Sequence, residues 1–382
     1  MQTDRPTTSA RTTNQTSSAD PSVPQALVPP FPQIPSSSPF QFSVSSAILN
    51  SLTKMPLIQL QPHPFTILPS HPSLPPGPPR PEARHVASTA LQEALELLDS
   101  DLPTWEKDPK TRHSPPAYAD ICLSRKWRKY EQMPENSPSN LKRKPEFWVC
   151  RQSEHPDAAV AGSAPWTEFE DGLRSEHAEH EMEYTPSVTG VERLLQWTEQ
   201  EVGELDMNGV TFKDVDLEVN LITHTFHPTA LISPRSFISF TISATYDAHS
   251  NEPSHPSKGF ITVQIPLYPD PSTTPTAIHE KIKSVVPKRT IFANYASVER
   301  VAKKNRPPES SSSQQQQQQQ HAERERHVYP PLIQWTMATT SDAGGLIPQW
   351  VQRNWTLGGV PRAIVADVGL FLDWTTKRRA LA

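Results

Sequence analysis

Val215-Asp216-Leu217-Glu218-Val219-Asn220-Leu221 alternates apolar and polar side chains without a break. Successive side chains of an extended strand point to opposite faces, so the stretch puts four apolar groups on one face and two carboxylates and an amide on the other. The same alternation recurs in Ile238, Phe240 and Ile242 between Ser239, Thr241 and Ser243. It returns in Ile261, Val263 and Ile265 around Thr262 and Gln264, and in Ile333, Trp335 and Met337 around Gln334 and Thr336. Phe147-Trp148-Val149-Cys150 and Ala296-Ser297-Val298-Glu299 read as two further strands. Parallel βαβ units would show continuous apolar strands separated by helices. The expectation is an antiparallel sheet with one covered face and one wet face.

Helical spacing flanks these strands. Ala90, Leu91, Ala94, Leu95 and Leu98 mark a helix over residues 88–100, with Ser88 or Thr89 as cap and Pro103 just beyond. Thr167-Glu168-Phe169-Glu170 has the capping-box form, and Trp166, Phe169 and Leu173 continue at helical spacing toward Tyr184-Thr185-Pro186. Ile347-Pro348 opens a short helix carrying Trp350, Val351, Asn354 and Trp355, which Gly358-Gly359 breaks. Pro361 starts the last one, striped by Ile364, Val365, Val368, Phe371 and Leu372 and closed by Lys377, Arg378 and Arg379, where cations suit the helix dipole. That stripe must be covered, and the apolar sheet face is its expected partner. The fold class is therefore α+β, a curved antiparallel sheet packed against a long C-terminal helix.

Composition sets the boundaries. With 43 prolines and only 12 glycines in 382 residues, much of the chain cannot enter regular elements. Residues 1–83 are rich in Pro and Ser and read as a disordered tail, with Pro75 to Pro81 favouring polyproline II. Residues 84–144 read as the first helix plus a polar linker, with solvated basic clusters at Arg125, Lys126, Arg128, Lys129 and at Lys142, Arg143, Lys144. The folded domain is expected over 145–379. It is interrupted at about 304–328 by a disordered insert holding four serines and seven glutamines in a row. A net charge of -5 gives no global attraction to nucleic acid or to an anionic membrane. The N-terminus has no apolar core of a secretory signal; Arg5 and Arg11 among Ser and Thr leave a mitochondrial presequence as the alternative to a cytoplasmic location. Cys122 and Cys150 can form one disulfide, but reduced thiols are the simpler reading.

Several segments resemble a known family. Ile232-Ser233-Pro234-Arg235-Ser236-Phe237 is similar to a segment of START lipid-binding domains, with Ser236 where an acidic residue is usual. Asp342 to Trp350 is similar to the loop leading into their C-terminal helix. Phe147 to His155, Trp166 to Val188, Tyr295 to Arg300 and Trp335 to Trp350 together resemble a mostly fungal START-like family, domain of unknown function 3074. The resemblance covers about residues 145–376, and the insert before Ile333 departs from a compact family pattern. It implies a helix-grip fold and a lipid-sized cavity between sheet and C-terminal helix. The candidate lining is Leu217, Phe240, Ile242, Val263, Trp335, Met337, Ile364, Val368 and Phe371. Arg151, Arg235, Glu299 and Arg300 are candidate polar groups near the cavity ends, with a structural salt bridge or solvent exposure as the simpler reading of each. The apolar stripes read equally as solid core.

No residue pattern offers catalysis. His177 and His180 lie three apart beside Glu176, Glu179 and Glu181, without the order that puts two histidines and a base on one helix face. A solvated acidic helix is the simpler reading, and neither it nor His224 and His227 supplies the converging ligands of a zinc site. There is no Gly-x-Ser-x-Gly elbow, and Asp342-Ala343-Gly344-Gly345 lacks the Lys of a phosphate loop. Asp214 and Asp216 belong to the wet strand face. The expected function is a non-catalytic START-like binding module for a lipid or other hydrophobic small molecule. It would have transient membrane contact, no cofactor, no metal and no nucleic-acid partner. A scaffold with a filled core acting through its Pro-rich tail, or an enzyme on the same fold, are the alternatives.

Overall fold

The computed structural model describes residues 55–75, 79–130, 144–226, 228, 232–248, 258–304, 330–356 and 358–381. The expected tail over 1–54, nearly all of the insert, Lys142, Arg143 and His227 lie outside the described residues.

Eight long strands build the sheet: β1 Cys122–Arg128, β2 Glu146–Pro156, β3 Val188–Trp197, β4 Val210–His224, β5 Arg235–Ala248, β6 Lys258–Tyr268, β7 Asn294–Lys304 and β8 Leu332–Asp342. Their order is β1-β2-β8-β7-β6-β5-β4-β3, and neighbouring pairs are antiparallel. Strands β3 to β8 therefore form a meander, and β2 with β1 continues it beyond β8. All four alternating stretches are strands.

Helices cover both faces. On one side lie residues 55–75 and α1, Ala83–Leu95. On the other lie α2 (Trp166–Leu173), α3 (His177–Tyr184) and α5 (Val360–Leu381), while α4 (Thr276–Val285) sits beside β3. The α+β helix-grip architecture is thus present, but the expected wet face is not. Ser239, Thr241, Ser243, Thr262 and Gln264 are all buried. Alternation reports which side chains differ between faces; it does not report which face meets water.

Cross-strand partners share a face. Leu217 pairs with Ile242 and Ile242 with Val263, while Val219 pairs with Phe240. These groups pack with Phe65, Leu68, Ala87 and Leu91. The apolar sheet face is therefore the partner of α1 and the N-terminal segment, not of the C-terminal helix. The stripe of α5 packs on the opposite, largely polar face, at the end where that face turns apolar through Phe260, Val301, Ile333 and Trp335.

Two boundaries move as a result. Residues 55–75 belong to the core: Phe65 and Leu68 are fully buried, and the Glu93 carboxylate of α1 accepts from the backbone N–H groups of Leu57 at 3.0 Å and Ile58 at 2.9 Å. The expected linker contains β1, whose Lys126 and Arg128 pair with Asp101 instead of standing in water. The capping box does not form either. Asp157 Oδ1 accepts from Trp166 N at 2.7 Å at the start of α2, and Glu176, at a φ of 45°, separates α2 from α3. Helix α1 begins five residues before Ser88, whose hydroxyl donates to His85 O inside it.

Candidate functional site

The inner face of the sheet, beneath α2, α3 and α5, divides into two regions. At one end Trp335 meets Phe169 and Phe371 with ring centroids 5.6 and 5.3 Å apart, and Ile364 and Val368 close the same cluster. This region is packed core. Toward the middle the floor is hydroxyl and amide: Thr262 and Gln264 of β6, Ser239, Thr241 and Ser243 of β5, and Asn220 of β4.

Several polar atoms on this side of the sheet have no hydrogen bond within the chain: Ser239 Oγ, Asn220 Oδ1, Arg151 Nε and Nη1, and His177 Nδ1. Each such atom costs roughly 1–3 kcal/mol if nothing satisfies it, and native interiors contain few.

Arg151 and Glu299 are brought together at its border. The Nη2 of Arg151 donates to Glu299 Oε1 at 3.1 Å, Trp335 Nε1 donates to the same oxygen at 2.7 Å, and the guanidinium lies 3.9 Å from the centre of the Trp335 ring. The other polar candidates are elsewhere. Arg300 follows Glu299 and so faces the opposite side of the sheet, where it pairs with Asp99 Oδ1 at 2.7 Å. Arg235 Nε donates to Ala343 O at 3.2 Å and its Nη1 to Ser233 O, fastening the loop that precedes α5. Of the apolar candidates, Trp335, Met337, Ile364, Val368 and Phe371 lie on the inner side. Leu217, Phe240, Ile242 and Val263 lie on the other face, and that half of the expected lining is withdrawn.

The helices add groups that the sequence places in a solvated acidic helix or does not single out. His177, Glu181 and Tyr184 recur at i, i+4 and i+7, one face of α3. Asp367 comes from α5 and Tyr295 from β7. Glu181, Asp367, His177 and Tyr295 are half-buried. The reading of α3 as a solvated acidic helix is therefore corrected on this face. Burial, reinforced by the charges of Asp367 and Glu299, pushes the Glu181 carboxyl up to about 8. Burial pushes Asp367 up to about 6, with Arg151 opposing. Burial lowers His177 and raises both tyrosines, so these groups are uncharged near neutrality. The i, i+4, i+7 spacing was the available signal. It was hidden because Glu176, Glu179 and Glu183 make the helix read as uniformly acidic.

A surface groove of about 330 Å³ opens where α5 begins, lined among others by Gln61, Pro62, Val149, Ser341, Gln352 and Val360. Val149 belongs to the inner face and pairs with Thr339.

A family model described as "Protein of unknown function (DUF3074)" matches residues 148–375. No curated protein matches the chain in sequence. Among solved structures it is similar to the crystal structure of human STARD10, with a TM-score of 0.40 and 10% identity over 77% of this chain and 84% of that one. It is also similar to human StAR-related lipid transfer protein 5, with a TM-score of 0.35 and 13% identity over 75% of this chain and 98% of that one. At these scores the helix-grip description rests on the strand order and the α5 packing, not on the likeness.

Proposed function

This chain belongs to the DUF3074 family, and we propose that within it the chain is a non-catalytic START-like module that holds one lipid-sized amphiphile between the inner sheet face and α5. The cluster of partnerless polar groups beneath the helices carries this reading. The ligand's apolar body would lie along Met337 and the apolar end of the face, gaining roughly 25 cal/mol for each Å² removed from water. Its polar part would meet the hydroxyl and amide floor. The name of the second similar structure speaks of lipid transfer, which agrees with the reading without supporting it independently.

Entry is proposed at the groove where α5 begins, by movement of the loop ahead of that helix. Membrane contact belongs at the same end. Leu346 is 99% exposed in this loop, and Trp350 is 65% exposed in the short helix Gln349–Gln352 that follows it. Exposed apolar side chains of this kind suit insertion at a bilayer surface.

The test is transfer of a fluorescent amphiphile between phosphatidylcholine vesicles containing phosphatidylserine. The full chain should accelerate transfer, and Leu346→Glu with Trp350→Glu should abolish it while leaving folding unchanged. Transfer no faster than without protein would sink the module reading. Acceleration that survives the double substitution would sink only the docking surface.

A further inference from the structure

Going beyond that reading, we propose that the surface groove at the start of α5 is a phosphate site, in which Lys144, Arg353, Asn294 and Thr340 hold the oxygens of a phosphate group. One cavity brings these side chains together. All four line the groove of about 330 Å³, along with Val360, the first residue of α5. Strand pairing fixes the frame: Thr340 of β8 lies opposite Ala296, and Asn294 of β7 lies opposite Asp342. The Arg353 guanidinium stands 4.4 Å over the ring of Trp127, whose partner across β1 and β2 is Phe147, itself part of the lining.

Formal charge does not choose the ligand, because Glu146 and Asp342 line the groove beside Lys144 and Arg353. Unspent hydrogen-bonding capacity does. The acceptors are taken. Glu146 accepts from Leu60 N at 3.0 Å and from Tyr130 Oη at 2.7 Å. Asp342 Oδ1 accepts from Gly344 N at 2.9 Å, Gln352 Oε1 from Ala343 N at 2.8 Å, and Gln349 Oε1 from Arg353 Nη2. The donors are not. Among the described residues Lys144 and the Asn294 amide have no partner, and Arg353 donates only through Nη2, to an uncharged amide.

A buried atom points the same way independently. Thr340 is 1% exposed, and its Oγ1 has no hydrogen bond. Native interiors hold few such atoms, and this one belongs to a residue that borders an open groove. The helix contributes as well. No acidic residue occupies the first turn of α5, so nothing there neutralises the positive end of its dipole.

An ammonium, a guanidinium, an amide, a hydroxyl and a helix start are all donors, and every oxygen of a phosphate accepts. A carboxylate has only two oxygens and would leave more of these donors unmet. The phosphate belongs either to a soluble monoester or to a phospholipid headgroup, since the groove opens at the surface.

The experiment has two arms on the full chain: calorimetry with phenyl phosphate and with benzoate, and sedimentation with phosphatidylcholine vesicles with and without phosphatidic acid. Phenyl phosphate should bind at least about tenfold tighter than benzoate. Lys144→Gln and Arg353→Gln should each weaken it by at least about tenfold, and Thr340→Val by at least about threefold, while Lys258→Gln leaves it unchanged. Thr340→Val removes only an unpaired hydroxyl, so its melting temperature should not fall, and the loss of binding reads the site and not the fold. Sedimentation that depends on phosphatidic acid and is lost in the same variants, without phenyl phosphate binding, assigns the phosphate to a lipid headgroup. Benzoate binding as tightly as phenyl phosphate, binding untouched by Lys144→Gln and Thr340→Val, or no binding in either arm would overturn the site. The vesicle-transfer assay reads the internal ligand separately, so either proposal can fail while the other stands.

Discussion

Two buried side chains, Glu181 and His155, should titrate with opposite effects on stability. Glu181 has its folded pKa raised from 4.5 to about 8. The folded state therefore holds this proton more tightly than the unfolded state, and its contribution is complete below pH 4.5 and lost as pH rises toward 8. Glu181→Gln should consequently leave stability at pH 4 unchanged and raise it at pH 9. The gain should be roughly 1–3 kcal/mol, since water reaching the space screens part of the shift. Thermal unfolding at the two pH values reads this, and an equal change at both would contradict it. His155 runs the other way. Burial, with the charge of Arg151 added, pushes its pKa down from 6.5 to about 4. Its contribution is complete above pH 6.5 and lost as pH falls through 4, at about 1.4 kcal/mol per unit within that window. Chemical denaturation across pH 7 to 4 should show this acid slope, and it should flatten in His155→Gln.

The elements were legible to different degrees, and particular residues explain why. Strands β4, β5, β6 and β8 were readable because Leu217, Phe240, Val263 and Trp335 each stand between polar neighbours. Which helix meets which face was not readable, because α5 packs on a polar face through the few apolar groups it carries there, Phe260 and Trp335 among them. Strand β1 was hidden by its charges: Lys126 and Arg128 resemble linker residues until Asp101 is placed beside them. The N-terminal segment was hidden by its prolines, although Ile58, Phe65, Leu68 and Leu74 cover the apolar face. Phe65→Ala should therefore destabilise the domain by about 3–5 kcal/mol, far beyond what a disordered tail permits. Removal of residues 1–82 should abolish cooperative unfolding. Survival of a sharp transition in that truncation would return the segment to the tail. Helix α5 offers a separate check. A methyl group on Gly369 would stand 2.5 Å from Pro115 O and 2.6 Å from Ser114 Oγ. Gly369→Ala should loosen α5 from this loop, costing roughly 1–3 kcal/mol by overpacking.

For the molecule as a whole, two layers of helix grip one sheet with unequal success. The outer layer meets an apolar face and packs it fully. The inner layer meets hydroxyls, amides and an ion pair, and leaves Ser239, Asn220, Arg151 and His177 with unmet bonds. The face of each candidate lining residue was not legible in the sequence, because parity sends Phe240 and Trp335 to opposite faces even though both sit on cleanly alternating strands. The burial of Asp367 was out of reach, since it depends on how α5 lies over the sheet. Native mass spectrometry of the full chain, alongside Ser239→Phe, tests whether a ligand lies between the inner sheet face and α5. One additional mass of lipid size per chain is expected in the unmodified protein. That mass should be lost in Ser239→Phe, whose melting temperature stays the same or rises because the ring fills open volume. A bare mass in the unmodified protein, together with a variant destabilised as an overpacked core would be, would contradict it.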